Sequence, residues 1–467
     1  MLGNEWSSQT GQPIKRRLYE ALKGRITSGI LKAGEALPST REMAQALNIS
    51  RSTVCEAYEM LLAEGYLISR RGAATLVAGN LTLEKLPVEP PPKPAQRRTF
   101  AADFRTGSPD LDLFPKFLWQ QMMRSALNEL PLSKYGYTGP QGLYELRFEI
   151  AAYLFRSRGL SLQPDDVFIT AGATHALHLA ADLTYKDGHA LLTEDPCHSG
   201  MLETFLNKGC GVMPVPVDKQ GMITDLLPGE AAAFAVYVTP SHQFPLGGIL
   251  PAARRAALIR YAREKELYII EDDYDSEFRY CGEPVAPLYS LDPQRVIYVG
   301  TFSKTLFPAL RIGFVLLPRA LQNQWRTLRT HTDVQNPVFE QAALCMLLQT
   351  RKLDRHIQKM RRVYGQRRQA LLDALGDSFE DGFIPWGDAA GLHLAVQFPG
   401  IRFGDAFHKA CQNQSIYAAP VERHCIAKGI HTDKLLLGYG HLTPEMIRAG
   451  IPLLSQTVRE GTETQGK

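Results

Sequence analysis

The chain has 467 residues, of which 45% are apolar and 21% charged, and its formal net charge is +4. That length is too great for one core, so two or three domains are expected. No apolar run approaches the ~20 residues that span a bilayer and no signal-like apolar start is present, so a membrane protein is excluded and a cytoplasmic one expected.

The charge is unevenly placed. Residues 1–100 hold 14 Lys and Arg against 9 Asp and Glu, while the remainder is nearly balanced. A basic N-terminal fifth favours a polyanion partner. Ile14, Leu18, Leu22, Ile26 and Ile30 recur every four residues after Pro13, which predicts a first helix. Ser39-x-x-Glu42 reads as a capping box opening a second helix through Leu47. Ser50 caps a third, with Val54, Ala57, Tyr58, Leu61 and Leu62 on one face and Gly65 at its end. Two short strand-like runs, 66–69 and 75–78, follow. Helix, helix–turn–helix and hairpin make residues 1–80 a winged helix. The second helix of a helix–turn–helix enters the major groove of double-stranded DNA with its first residues at base edges. Those residues are Ser50, Arg51, Ser52 and Thr53, and Arg51 suits bidentate contact with guanine.

Residues 81–101 read as a linker, because five prolines stand among positions 87–94. Beyond it, from 102 to 467, strand-like runs alternate with helical stretches: 167–172, 190–196, 234–240, 267–273, 296–301 and 312–318. This predicts an α/β large part over about 150–330 with a mostly parallel sheet. A smaller α+β part over about 340–467 contains strand-like runs at 391–398 and 434–440. Seven scattered cysteines without a C-x-x-C pair favour free thiols, and no metal is expected.

In open α/β sheets, ligands bind beyond the carboxyl ends of the strands. There the sequence places Gly172, Ala173 and Thr174, then His198, His242, Asp272, Tyr274, Thr301, Ser303, Lys304 and Arg311. These groups fit pyridoxal 5′-phosphate. Lys304 offers the amine for a Schiff base, Asp272 a carboxylate for the ring nitrogen, and Tyr274 a contact to the phenolic oxygen. The helix start at Gly172, Ala173 and Thr174, with Ser303 and Arg311, offers donors to the phosphate.

The motifs D-x-Y (272–274), S-K (303–304) and L-R-I-G (310–313) resemble those of fold-type-I aminotransferases. "YGYTGPQGLYELR" (135–147) resembles the segment whose tyrosine, here Tyr135, reaches the phosphate bound by the partner subunit. The N-terminal "LPSTR" and "SRSTV" resemble the GntR winged helix, which implies DNA contacts from Arg41 and from a wing tip at Arg71 and Gly72. The two together, with "TPSHQFP" and "EDDYDSEF", are similar to the MocR family of bacterial regulators. The resemblance implies a head-to-tail homodimer that binds operator DNA and senses an amine or amino-acid-like effector through an external aldimine.

The chain departs from the aminotransferase pattern in three places. "PCH" makes His198 the residue that stacks on the cofactor ring. Phe244 stands where an asparagine touches the phenolic oxygen, with His242 or Gln243 as substitutes. Leu436 stands where an arginine clamps the substrate carboxylate, leaving Arg423 as a substitute. These departures argue against ordinary transamination. A working aminotransferase with a DNA-binding arm, and a sensor of pyridoxal phosphate itself, are the alternatives.

Overall fold

In the computed structural model, which describes residues 12–70, 73–81, 100–230, 232–283, 285–387 and 389–463, the chain divides into two units, Met1–Arg97 and Arg98–Lys467. The proline run of the linker lies outside the described residues.

In the first unit, helices Ile14–Thr27, Thr40–Leu47 and Arg51–Ala63 bury Leu18, Leu22, Ile26, Met43, Val54, Ala57 and Leu61 against one another. The four-residue spacing puts these side chains on one stripe of each helix. Ile30, the last of the predicted series, lies past the helix end and is 58% exposed, because Gly29 turns the chain at φ 74°. The capping box is formed: Ser39 Oγ accepts from the Glu42 amide at 3.3 Å, and the Glu42 carboxylate accepts from the Ser39 amide at 2.8 Å. Asn48, left-handed at φ 50°, makes the turn, and Ser50 caps the third helix by accepting from the Thr53 amide at 3.2 Å. Strands Leu67–Ile68 and Leu76–Val77 pair antiparallel as the wing. Arg71 and Gly72 lie outside the described residues.

The second unit holds an eight-stranded sheet. Its order is Val167–Thr170, Gly313–Leu316, Val296–Thr301, Tyr268–Asp273, Ala233–Val238, Ala190–Asp195, Gly211–Asp218 and Gly221–Met222. The five strands from Val296–Thr301 to Gly211–Asp218 run parallel; Gly313–Leu316 is antiparallel to both neighbours. Four of these five are almost wholly buried, which explains their continuous apolar runs.

The smaller part carries a four-stranded antiparallel sheet, ordered Ile384–Trp386, His393–Gln397, Lys434–Gly438 and Ala419–Pro420. Its helices Lys352–Phe379 and Pro444–Glu463 pack on each other. The segment after the linker is tied to this part: Ala102–Asp103 pairs with Ile416–Tyr417, and Phe104 O accepts from the Gly438 amide at 2.8 Å. That tie brings residues 106–108 to the mouth of the large sheet. Among the described residues, no helix is long and apolar enough to cross a membrane.

Candidate cofactor and effector site

The carboxyl ends of the parallel strands open into a cavity of about 410 Å³, within the usual size of a small-molecule site. Asp272 lies on its floor at the end of Tyr268–Asp273. Tyr237, on the adjacent strand, donates to Asp272 Oδ2 at 2.8 Å. The other oxygen, Oδ1, is buried without a partner. Burial raises the Asp272 pKa to about 6, against the Tyr237 hydrogen bond that lowers it. A buried carboxylate oxygen lacking a donor is what a protonated ring nitrogen satisfies.

Lys304 follows strand Val296–Thr301, and its Nζ donates to Gly107 O at 2.6 Å. Burial lowers its pKa, opposed by the charges of Asp275 and then Asp272. A lysine shifted this way offers more of the neutral amine that attacks a carbonyl.

An anion cradle adjoins the lysine. Gly172 caps helix Ala173–Thr184 at φ 85°, and the helix start presents free amides. Arg311, held left-handed at φ 51°, donates from Nη2 to Ala171 O at 2.6 Å. Its guanidinium lies so close that a Cβ on Gly172 would come within 3.1 Å of Nη1. Ala173, Thr174, Thr301 and Ser303 line the same end, and Thr301 Oγ1 donates to Ser303 Oγ at 3.0 Å. Amine, floor carboxylate and cradle together match the three demands of pyridoxal phosphate.

The opposite wall is different. Phe244 lines the cavity, with its ring centroid 5.1 Å from His198, 5.3 Å from His393 and 5.1 Å from His424. Leu436 lies behind it in the strand Lys434–Gly438, 1% exposed, in one apolar cluster with Phe244, Leu246, Ala395 and Val421. His198 lines the cavity, and it also caps helix Ser199–Leu206: its Nδ1 accepts from the Met201 amide at 3.2 Å.

Two expectations are corrected. His242 is buried behind the cavity wall and does not line it. The loop after Ala233–Val238 turns Phe244 outward and His242 inward, where its Nδ1 lies 3.0 Å from Asp275 Oδ1 and its carbonyl accepts from Tyr274 Oη at 3.0 Å. Arg423 is exposed on the short helix Val421–His424 and does not reach the cavity; its neighbour His424 faces Phe244 instead. Tyr135 is 47% exposed, stacks edge-on against Phe339 at 5.1 Å, and lies away from its own chain's cavity. Tyr237, Asp275, His393 and Gly107 belong to the site although their sequence context does not single them out.

In the winged-helix unit, Arg41, Arg51 and Ser52 are exposed and Thr53 is half-buried. Arg51 Nε donates to Thr40 Oγ1 at 3.3 Å, which links the two helices of the motif. The Ser50 hydroxyl is engaged locally, 3.0 Å from Ser52 Oγ and 2.7 Å from Thr53 Oγ1.

Residues 14–77 match the family model of bacterial regulatory proteins of the gntR family, and residues 115–434 match that of aminotransferase class I and II. The probable rhizopine catabolism regulatory protein MocR of Rhizobium meliloti is 32% identical, over 94% of this chain and 92% of its own. The pyridoxine biosynthesis transcriptional regulator PdxR of Corynebacterium glutamicum is 36% identical, over 78% of this chain and 79% of its own. The structure of an archaeal alanine:glyoxylate aminotransferase is similar, with TM-score 0.73 and 26% identity, covering 78% of this chain and 91% of that one. Matches of that extent, to both parts and to relatives that join them, show that the chain belongs to the MocR family of GntR-type transcriptional regulators, with a winged helix for DNA and an aminotransferase-like domain that takes pyridoxal 5′-phosphate.

Proposed function

We propose that the chain is a cytoplasmic regulator whose DNA binding at an operator is set by an amine entering the cofactor cavity. The observation that carries this reading is the contrast within that cavity: Lys304, Asp272 and Arg311 line one end, while Phe244, backed by the buried Leu436, closes the other with apolar surface. Pyridoxal phosphate supplies an aldehyde that a lysine or a visiting amine can each engage. In this reading Lys304 holds the cofactor, Asp272 keeps its ring nitrogen protonated, and Tyr274 and Thr174 orient it. Arg311, Ser303 and the amides after Gly172 hold its phosphate, and His198 covers the ring.

The Phe244 wall offers an α-carboxylate no cation, which is unfavourable for a simple α-amino acid. An effector whose acidic group lies farther from its amine, such as an ω-amino acid or a short dipeptide, avoids that wall. Turnover is therefore slow or absent.

The subunits act as a head-to-tail homodimer, with Tyr135 serving the site of the partner. Its support is the exposed apolar surface of residues near Tyr135: Leu132 is 81% exposed and Tyr137 88%, with Tyr144 and Phe148 also exposed. DNA is read by Arg51, with Ser52, Thr53 and Arg41 beside it and Arg71 and Gly72 at the wing.

The test is operator affinity measured with and without 4-aminobutyrate, β-alanine, alanyl-glycine, alanine and glutamate. A shift with an amine of the first three, and not with the last two, is expected. Arg51→Ala should weaken operator binding by about 1–3 kcal/mol and relax base preference at one position. An operator affinity indifferent to every amine would remove the reading. A second reading is favoured by the 36% identical regulator of pyridoxine biosynthesis: the cofactor itself is the signal. Operator affinity that changes on adding pyridoxal phosphate alone would select it.

A further inference from the structure

The cavity holds one acidic group that the cofactor does not use. Asp275 lines it, is 2% exposed, and follows Tyr274 in the loop after Tyr268–Asp273. Its carboxylate accepts from His242 Nδ1, at 3.0 Å for Oδ1 and 3.2 Å for Oδ2. His242 Nε2 is buried without a partner. A carboxylate only accepts, so His242 Nδ1 carries the proton that lies between ring and carboxylate.

His393 stacks 4.9 Å from His242, and its Nε2 lies 3.2 Å from Pro245 O, so that ring is also anchored by its N–H. Burial, and then the charge of His242, pushes its pKa well below the ordinary value.

The backbone is built around this pair. A Cβ on Gly391 would lie 2.1 Å from His242 Cε1 and 2.6 Å from Asp275 Oδ2, and Gly391 sits at φ 85°. Tyr280 Oη at 2.6 Å and Tyr439 Oη at 2.8 Å both donate to Gly391 O and hold it there. Only glycine permits this approach.

The cations that line the cavity are Lys304 and Arg311. Arg311 is turned to the anion cradle at Ala171. The charged and titratable groups around Lys304 are Asp272 from the floor, Asp275 from the loop beyond it, His198 from the opposite helix cap and His393 from the small sheet, with the Tyr274 hydroxyl between. Asp272 accepts from Tyr237, and its second oxygen is the one a bound cofactor's ring nitrogen would take. Among the described cavity-lining residues, Lys304 is the lysine or arginine left to face Asp275.

We propose that Asp275, oriented by His242, is a second counter-ion of the Lys304 nitrogen and keeps that nitrogen protonated when it is joined to the cofactor. Joining Lys304 to the aldehyde forms a carbon–nitrogen double bond and releases water, and the nitrogen can then carry one proton or none. A carboxylate beside it favours the charged form. A protonated linkage is the form that an incoming neutral amine attacks, so Asp275 readies the site for its effector. His242 is a positioning residue, acting through Asp275.

This inference rests on the cofactor reading above. Its test is a pH titration of the visible absorption of the holo-protein, which reports protonation of the Lys304–cofactor linkage without turnover. Asp275→Asn should lower the titration midpoint by roughly 1–3 pH units. Asp275→Glu, which keeps the charge, should stay near the parent. Where Asp275→Asn does not fold, His242→Leu removes the hydrogen bond that holds the carboxylate and should lower the midpoint by a smaller amount. A midpoint equal to the parent in Asp275→Asn, or in His242→Leu as its replacement, overturns the proposal while leaving the cofactor in place. A parent protein that is colourless and takes up no cofactor would defeat the reading beneath it as well.

Discussion

At one end of the cavity polar groups hold one another: Tyr237 donates to Asp272, Lys304 to Gly107 O and Arg311 to Ala171 O. At the other end Phe244 and Leu436 share an apolar cluster with Leu246, Ala395 and Val421. In sequence these two residues are 192 positions apart and look like separate departures from the aminotransferase pattern. In the fold they are one packing event. Exchanging both members of a polar pair for apolar groups can be nearly neutral, whereas exchanging one leaves the other orphaned.

The strongest way to break the comparison is to remove the lysine. Lys304→Ala should abolish borohydride fixation of the cofactor while thermal unfolding stays cooperative. A labelled peptide that maps to another lysine would contradict the assignment of the polar end. The apolar end can be tested by reversal. Leu436→Arg buries an unpaired charge and should cost about 3–5 kcal/mol of stability in denaturant unfolding. Adding Phe244→Asn should recover part of that loss; two strictly additive penalties would show that the positions are not coupled. Asp272→Asn should weaken cofactor binding by about 2–5 kcal/mol, read by dialysis and absorbance.

A smaller effect comes from the histidine behind Phe244. Burial, and then the nearby His198, lowers the His424 pKa to about 4. Its unfolded value is ~6.5. The unfolded chain therefore binds the extra proton first, and stability present above pH ~6.5 is lost as pH falls toward 4. At pH 5 the loss from this residue is about 2 kcal/mol. Asp272, Glu194 and Glu271, raised by burial, act with the opposite sign, so the comparison is between parent and His424→Leu. On going from pH 7 to pH 5, the unfolding free energy of the variant should end about 2 kcal/mol higher, relative to its own pH 7 value, than that of the parent.

The sheet was legible because its central strands are buried on both faces and read as apolar runs. The strand Gly211–Asp218 escaped because "GVMPVPVD" carries two prolines and alternates in burial, which its first six residues tolerate because they pair with Ala190–Asp195 alone. Ala102–Asp103 and Ile416–Tyr417 are two residues each and carry no pattern. Lys304, Asp272 and Arg311 stood out because a charged group at the end of an apolar strand needs a reason. Gly107 had no such signal, since its role is a carbonyl brought in by chain pairing 197 residues from Lys304. Arg423 stood out in the sequence as a cation, and nothing there distinguished His424 beside it. One step along a short helix separates a side chain in solvent from one against Phe244.

The most direct test of the contrast between the two ends is a single mixing experiment. Holo-protein is combined with excess alanine or glutamate, and with 4-aminobutyrate, while cofactor absorbance and released keto acid or aldehyde are followed together. The account predicts that 4-aminobutyrate perturbs the cofactor band with little release of the corresponding aldehyde, and that alanine and glutamate leave the band nearly unchanged. Rapid conversion of the cofactor to its amine form by alanine or glutamate, with keto acid released at the 1–10³ per second of ordinary enzymes, would contradict it and show that the Phe244–Leu436 wall does not exclude the α-carboxylate.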